Sequence, residues 1–591
     1  MILRKTKIVC TIGPASSDVN IIKQLLMAGM NVARLNFSHG DHEYHKANIE
    51  KIRLASKETG IPVAILLDTK GPEIRTGNIK NGKTIKLVEG KKITLTTDEV
   101  EGTEEILSIS YKKLPEEISV GKHIYIADGL IDLVVDDVKK NKIFCTIVNG
   151  GEISSKKNVN VVGVKTSLPA ITEKDEKDII FGIGQKVDFI AASFIRKPTD
   201  IIEIRNILNS YNLKIDIIAK IEDEEGLENI DEIIRVSNGI MIARGDLGVQ
   251  IKTEEIPLVQ KRIILKCNKM NRPVITATQM LDSMINNPKP TRAETTDVAN
   301  AIFDGTDAIM LSGETASGKY PVEAVKTMHN IALKVEQSPE YLEKCKNYFY
   351  FYNSQNNVGE SIAKAAFVVA SDIKANAIIT PTIHGNTPKL ISKYRPMQNI
   401  IAATTSEETQ KKLLLYWGIY SVITDLVSDS DIMLNNALQA ALDNKYVNNF
   451  EKVVFVAGVP INSPAMLNLI KVHQIANILG TGKLGFGGRC SGKIVKAEDI
   501  SEAILNIKGD GTEILLTRYI DDNFKPLIKN LKGIILEGYS AINWDDIKLI
   551  NPEIVLISGV TKAFDHFENN LIVSLDGEAK VIYEGVIRLE E

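Results

Sequence analysis

Through roughly the first three hundred residues, apolar runs of strand length alternate with helical segments: KIVCTIG, NVARLNFS, PVAILLDTKG, VDFIAASFIR, KIDIIAKIE, GIMIARGD, PVITATQM and DAIMLSGET. Between most of them lie segments such as NIIKQLLMAG and PLVQKRIILKCNKMN, whose apolar residues recur at spacings of three and four and predict amphipathic helices. Eight parallel strands with intervening helices predict a closed (β/α)8 TIM barrel, in which chemistry gathers at the carboxyl ends of the strands. Each run ends there in small, polar or charged residues.

Roughly a hundred residues of different texture separate the third and fourth runs. KTIKLVEGKKITLTT, HIYIADGLIDLVVDD and KIFCTIVNGGEI alternate at period two between Gly, Asn and Lys turns, which predicts an inserted antiparallel β-barrel domain placed to act as a water-excluding lid. After the barrel a helix around IALKVEQ leads through the polar segment YFYFYNSQNNVGES into NAIITPT, NIIAATT, VITDL and EKVVFVAGVP, the strands of an open doubly wound α/β domain. The tail opens with GFGGRCSGK, read as a flexible joint, and continues as GTEILLTR, KGIILEG, EIVLISGV, LIVSLDG and AKVIYEG, a further small α/β domain. The expected boundaries are 1–70 and 166–345 for the barrel, 71–165 for the lid, 346–484 for the α/β domain and 485–591 for the extension.

Composition removes several functions. Basic and acidic residues nearly balance at a net charge of −4, and no basic stripe with interleaved aromatics stands out, so no nucleic-acid partner is expected. No apolar stretch is long enough to span a bilayer, and MILRKTKIVCTIGP enters a strand without a signal-peptide pattern; a soluble cytoplasmic protein without membrane association is expected. The five cysteines are scattered and lack a CxxC pair, which argues for reduced thiols and against a zinc site.

The chemically richest runs are IIAKIE and MIARGD, which place Lys220, Glu222 and Asp246 at the ends of two buried strands. Charges out of water need partners, and two carboxylates without a neutralising ion repel. One ammonium beside two oxygen-donor acids reads as a divalent metal site next to a phosphate or enolate, with Mg²⁺ the expected ion. For any one of the three alone, a structural ion pair is the simpler reading.

The other strand ends decide between them. KIVCTIGPAS, VARLNFSHG, LLDTKGPEIRTG, SFIRK, AKIED, ARGDLG, TATQMLDSM, PTRAETTDVANAI and LSGETASGKYPVEAV, in this order, resemble the pyruvate kinase family, and the insertion and α/β domain fit its further domains to about residue 480. The resemblance implies transfer of a phosphoryl group from phosphoenolpyruvate to ADP, giving ATP and an enolate that is protonated to pyruvate. It implies Mg²⁺ (or Mn²⁺) on Glu222 and Asp246, Lys220 against the migrating phosphoryl, and Arg34 on the transferring phosphate. Backbone N–H groups of Ala243, Arg244, Gly245 and Asp246 would face the substrate carboxylate, and Thr278 would lie near the carbon that gains a proton, acting through water or a relay. His39, Arg75 and Lys197 match nucleotide-phosphate positions, against which stands the reading of a solvated rim. Asn36, Ser38, Asp68 and Thr69 resemble the family's K⁺ site. Members that dispense with K⁺ tend to carry Lys where this chain has Glu73, so K⁺ dependence is implied. A homotetramer is expected by family.

A rival barrel chemistry makes or breaks carbon bonds to pyruvate on a similar metal pair; Lys220, Arg34 and the lid favour phosphoryl transfer. In TPTIHGNTPKLISKYRP, Thr380, Thr382, Gly385, Asn386 and Thr387 follow a strand and open a helix, where the family binds phosphorylated effectors; a threonine-rich helix cap is the competing reading. The later effector loop, glycine-rich in the family, reads PINSPAMLN here. The extension resembles the swivelling domain of phosphoenolpyruvate-utilising enzymes, but EGYSAINWDD, at the place of its phosphohistidine motif, has no histidine, and packing or regulation is expected instead. Gly487 to Lys493 fits GxxxxGK, yet Ile494 replaces the required Ser or Thr and no strand is expected before it; it reads as a hinge.

Overall fold

The structure, a computed structural model, describes residues 3–127, 129–351, 357–459, 467–475 and 477–586. Most of the PINSPAMLN loop therefore lies outside the described residues. Eight strands close a parallel barrel: β1 (Lys7–Thr11), β2 (Val32–Asn36), β3 (Ala64–Asp68), β4 (Phe189–Ala192), β5 (Asp216–Ile221), β6 (Gly239–Ala243), β7 (Val274–Ala277) and β8 (Ala308–Leu311). All eight fall within the predicted runs. Side-chain parity divides each strand between two apolar layers. Val9, Val32, Ala64, Leu66, Phe189, Ala191, Ile218, Met241 and Ile275 fill the barrel interior, while Ile8, Cys10, Ala33, Leu35, Ile217 and Ala219 pack outward against the helices.

A buried carboxyl lies just before β4. Asp188 Oδ2 accepts the Ile65 N–H at 2.7 Å, and burial, outweighing that bond and the more distant Lys411 and Arg53, raises its pKa to about 6. A carboxyl whose folded pKa exceeds its unfolded value stabilises the fold while protonated in it, and loses that contribution as pH rises through the folded pKa. Thermal melts of Asp188→Asn, whose amide oxygen still accepts from Ile65, should match the parent near pH 4.5. At pH 7 they should exceed it, by on the order of 2 kcal/mol; a parent with equal or greater stability at pH 7 would contradict this.

The inserted segment forms a seven-stranded sheet in the order 74–75, 158–161, 123–126, 131–139, 142–149, 92–96, 106–108, with Ile85–Leu87 and Gly151–Ile153 paired separately. It is a partial barrel, and its last pair, Lys92–Thr96 with Ile106–Ser108, runs parallel where an antiparallel neighbour was expected. Its own core includes Ile93, Leu95, Ile124, Ile126, Leu133 and Ile143.

In the α/β sheet the strands lie in the order Ile419–Ile423, Asn399–Thr404, Ala377–Pro381, Lys452–Ala457, Leu469–Gln474. This is the doubly wound order expected, with a fifth strand that the sequence reading did not resolve. Part of the presumed polar linker is instead helical, within Pro339–Phe351 and Val358–Asp372.

The extension is an eight-stranded sheet ordered 478–481, 581–584, 572–576, 489–496, 513–517, 533–536, 555–558, 484–486. This corrects the hinge reading: Arg489–Lys496 is a central strand, parallel to Glu513–Thr517 and antiparallel to Ile572–Asp576, and Leu484–Phe486 precedes it as a strand. Its glycines serve close approach. A Cβ on Gly492 would meet the Thr512 carbonyl oxygen at 2.4 Å, and Gly487 turns the chain at φ +80°.

Candidate active site

The parity that fills the barrel also selects the side chains at its carboxyl-end mouth. Two residues beyond Val9, Val32, Leu66, Ala191 and Ile218 stand Thr11, Arg34, Asp68, Ser193 and Lys220, so all five point inward as the uppermost layer. Asp68, fully buried, is their hub. Its Oδ2 accepts Arg34 Nε at 2.5 Å, and its Oδ1 accepts Lys220 Nζ at 3.0 Å and the Ser193 hydroxyl at 3.3 Å. Arg34 also donates to Thr11 Oγ1 at 2.8 Å. Lys220 Nζ reaches Ser193 Oγ at 2.6 Å and Glu222 Oε1 at 3.1 Å, and Glu222 Oε2 accepts the Phe194 N–H at 2.6 Å.

The electrostatics follow from this packing. Burial opposes the charge on Asp68, but Arg34 and Lys220 outweigh it and hold the carboxyl below its ordinary value. Burial likewise opposes the Lys220 ammonium, and Asp68 and Glu222 overcome it, so the lysine stays protonated. Glu222 is raised, first by burial and then by Asp246, against the pull of Lys220. Glu222 and Asp246 thus act on one another within a buried site, and a pair of oxygen donors of this kind fits a hard divalent ion.

Thr278 and Gln279, just beyond β7, both have left-handed backbones, at φ +65° and +53°. For a β-branched residue this costs about 1–2 kcal/mol. The Thr278 hydroxyl donates to the Ala277 carbonyl and accepts the Gly245 N–H, each at 2.7 Å, joining the end of β7 to the helix Arg244–Gln250. A cleft of about 350 Å³ runs from Asp246 and Arg196 to the lid strand Asn158–Val161, with Asp223, Glu224 and Gln250 on its wall.

The proposed K⁺ residues lie at the ends of β2 and β3, where Asn36 and Asp68 are register partners. Asn36 Oδ1 accepts the Ser38 N–H and Thr69 Oγ1 accepts the Ser193 N–H. The nucleotide candidates lie farther out. His39 and Lys197 are exposed, and Arg75 is held by Glu73 at 2.7 Å and the Lys156 carbonyl at 2.9 Å. In the α/β domain Gly385, at φ +77°, precedes the helix Asn386–Lys393, and Thr382 Oγ1 accepts the Gly385 N–H. Thr380 is a correction: it is wholly buried within its strand, its hydroxyl turned to the Ile401 carbonyl, so it belongs to the sheet and has no surface to offer a phosphate.

The family described as "Pyruvate kinase, barrel domain" matches residues 3–325, and "Pyruvate kinase, alpha/beta domain" matches residues 360–473. A pyruvate kinase of Geobacillus stearothermophilus is 49% identical over 586 residues, covering 98% of this chain and 99% of that protein. The chain belongs to the pyruvate kinase family. A pyruvate kinase of Staphylococcus aureus (strain MRSA252) is 45% identical over 589 residues, 99% of each chain. The crystal structure of a pyruvate kinase from Cryptosporidium parvum superposes with a TM-score of 0.76 at 41% identity, covering 80% of this chain and 96% of that one. The chain is accordingly a phosphotransferase that converts phosphoenolpyruvate and ADP to pyruvate and ATP, the closing step of glycolysis. No helix among the described residues is long and apolar enough to cross a membrane.

For a pyruvate kinase this site holds members that the sequence reading passed over. Ser193 lies inside the quoted SFIRK run, yet its bond to Lys220 depends on the pairing of β4 with β5. Phe194, at φ +53°, turns its N–H onto Glu222.

Proposed function

We propose that phosphoryl transfer takes place at the mouth of the barrel, with Lys220 against the migrating group and Arg34 on its oxygens. The observation that carries this reading is the bond set of Lys220 Nζ, held by Asp68, Ser193 and Glu222 as a permanently charged donor in a buried site. Glu222 and Asp246 would hold Mg²⁺ or Mn²⁺, which when bound supplies positive charge to the transferring phosphoryl and the enolate. Asn36, Ser38, Asp68 and Thr69 would hold K⁺; Asp68 would then neutralise three cations and fix their spacing. Thr278 would serve proton delivery to the enolate, and the turn from Ala243 to Asp246 would receive the substrate carboxylate. His39, Arg75 and Lys197 would meet the nucleotide phosphates.

The loop of Thr382, Gly385, Asn386 and Thr387 would bind a phosphorylated effector, and the enzyme would act as a cytoplasmic homotetramer. We further propose domain limits at 1–70 and 166–345 for the barrel and 71–165 for the lid, with the expected limit at 484 moved back to about residue 477, because the sheet of the extension includes the strands 478–481 and 484–486. Pyruvate release from phosphoenolpyruvate and ADP should need a divalent cation and should rise with K⁺. Glu73→Lys, which installs the residue that members dispensing with K⁺ tend to carry there, should retain activity without K⁺; undiminished K⁺ dependence in that variant would count against the assignment.

A further inference from the structure

We infer that the side chain of Arg244 is a positioning residue for the carbon-protonation half of the reaction. It holds Thr278 in the backbone conformation that brings its hydroxyl to Gly245. The inference rests on the proposed role of Thr278 and goes beyond it by assigning what keeps that residue in place.

Arg244 is buried, and its guanidinium is engaged by protein groups. It donates from Nε to the Ala277 carbonyl at 3.2 Å, and from one terminal nitrogen to the Thr278 carbonyl and Met280 sulfur, each at 2.8 Å. Those contacts span the left-handed pair Thr278 and Gln279 from one side to the other. Two consecutive non-glycine residues at positive φ persist only where surrounding contacts over-determine them. The guanidinium is itself anchored by Asp297 at 2.7 Å and Gln260 at 3.3 Å. Because Gly245 follows Arg244 directly and donates to Thr278 Oγ1, two adjacent residues tie the carbonyl and the hydroxyl of Thr278 to the turn that carries Asp246. A lysine has one point of contact and cannot reproduce this planar fork.

In the step concerned, the enolate's C=C electron pair takes the Thr278 hydroxyl proton to form the new C–H bond, a water O–H bond breaks to reprotonate that hydroxyl, and hydroxide leaves to solvent. The electron pair on the enolate oxygen becomes the carbonyl π bond of pyruvate. The reverse of this step exchanges pyruvate methyl protons with solvent and can be followed by proton magnetic resonance in D₂O, separately from ATP formation in a single turnover.

In Arg244→Lys, methyl exchange should fall tenfold or more, beyond any fall in single-turnover ATP formation, with the KM for phosphoenolpyruvate within about threefold of the parent. Asp297→Asn, which loosens the anchor while leaving the arginine, should move the same ratio in the same direction and carries the test should Arg244→Lys fail to fold. Equal losses in both halves would indicate a merely structural residue and overturn the proposal, as would unchanged exchange. Thr278→Val is the separate control: intact exchange there would remove the reading of Thr278, and the proposal with it, by a result distinct from any obtained at Arg244.

Discussion

Lys220→Met is expected to lower turnover by roughly 10³ to 10⁵, the range that a cation supplied to a transferring phosphoryl group is worth. The reason is positional as much as electrostatic. Lys220 Nζ is fixed by Asp68, Ser193 and Glu222, so its charge is in place before the reaction and needs no reorganisation during it. Binding of phosphoenolpyruvate should suffer less, because Arg34 remains seated on Asp68 and Thr11. The variant should still fold: Asp68 keeps its arginine, and Glu222, already raised by burial, can take up a proton when its lysine is gone. Steady-state kinetics beside circular dichroism would check both halves, and a folded variant with turnover within tenfold of the parent would refute the assignment.

Asp68→Asn should be the more disruptive substitution for the protein as a whole. It replaces the carboxylate that touches both Arg34 and Lys220 with a group of the same shape and no charge. Removing one member of a buried ion pair costs about 3–5 kcal/mol, since the partner charges stay behind. Displacement of two cationic groups by even an ångström can cost a further hundredfold in rate. A melting temperature well below that of the parent, together with loss of K⁺ activation, is the expected result; a parent-like melt and an unchanged K⁺ response would show that neither cation depends on Asp68.

Much of this site was legible because strand parity is rigid. Once KIDIIAKIE is a strand, Lys220 stands near its end on the face of Ile218, whereas Arg34 and Asp68 were picked out by the family resemblance and the strand count then explains why they share that layer. Ser193 escaped notice because a small neutral hydroxyl carries no signal of its own until an adjacent strand supplies its partner. The side chain of Arg244 escaped for the opposite reason: ARGDLG was read for its backbone, and the arginine's contacts come from β7 and from Asp297, residues distant in sequence. The strand Leu469–Gln474 is partly exposed and mixes Lys, His and Gln with its apolar residues, so its pattern is weak. The glycine-rich run was misread because glycine gives the same sequence signal whether it provides freedom or close packing; Gly492 provides the latter.

The central strand of the extension also imposes an order on its assembly. Arg489–Lys496 pairs on one side with a strand that follows soon after it, and on the other with Ile572–Asp576; the hydroxyls of Ser491 and Ser574 meet at 2.7 Å across 83 residues of chain. At translation speeds of about 5–20 residues per second, that second neighbour trails the first strand out of the ribosome by roughly 4 to 16 seconds. For that interval an apolar strand edge stands without its partner, the circumstance in which nascent chains associate with one another or engage chaperones. In this region the order of synthesis sets how long that edge is exposed, independently of the contacts of the finished fold.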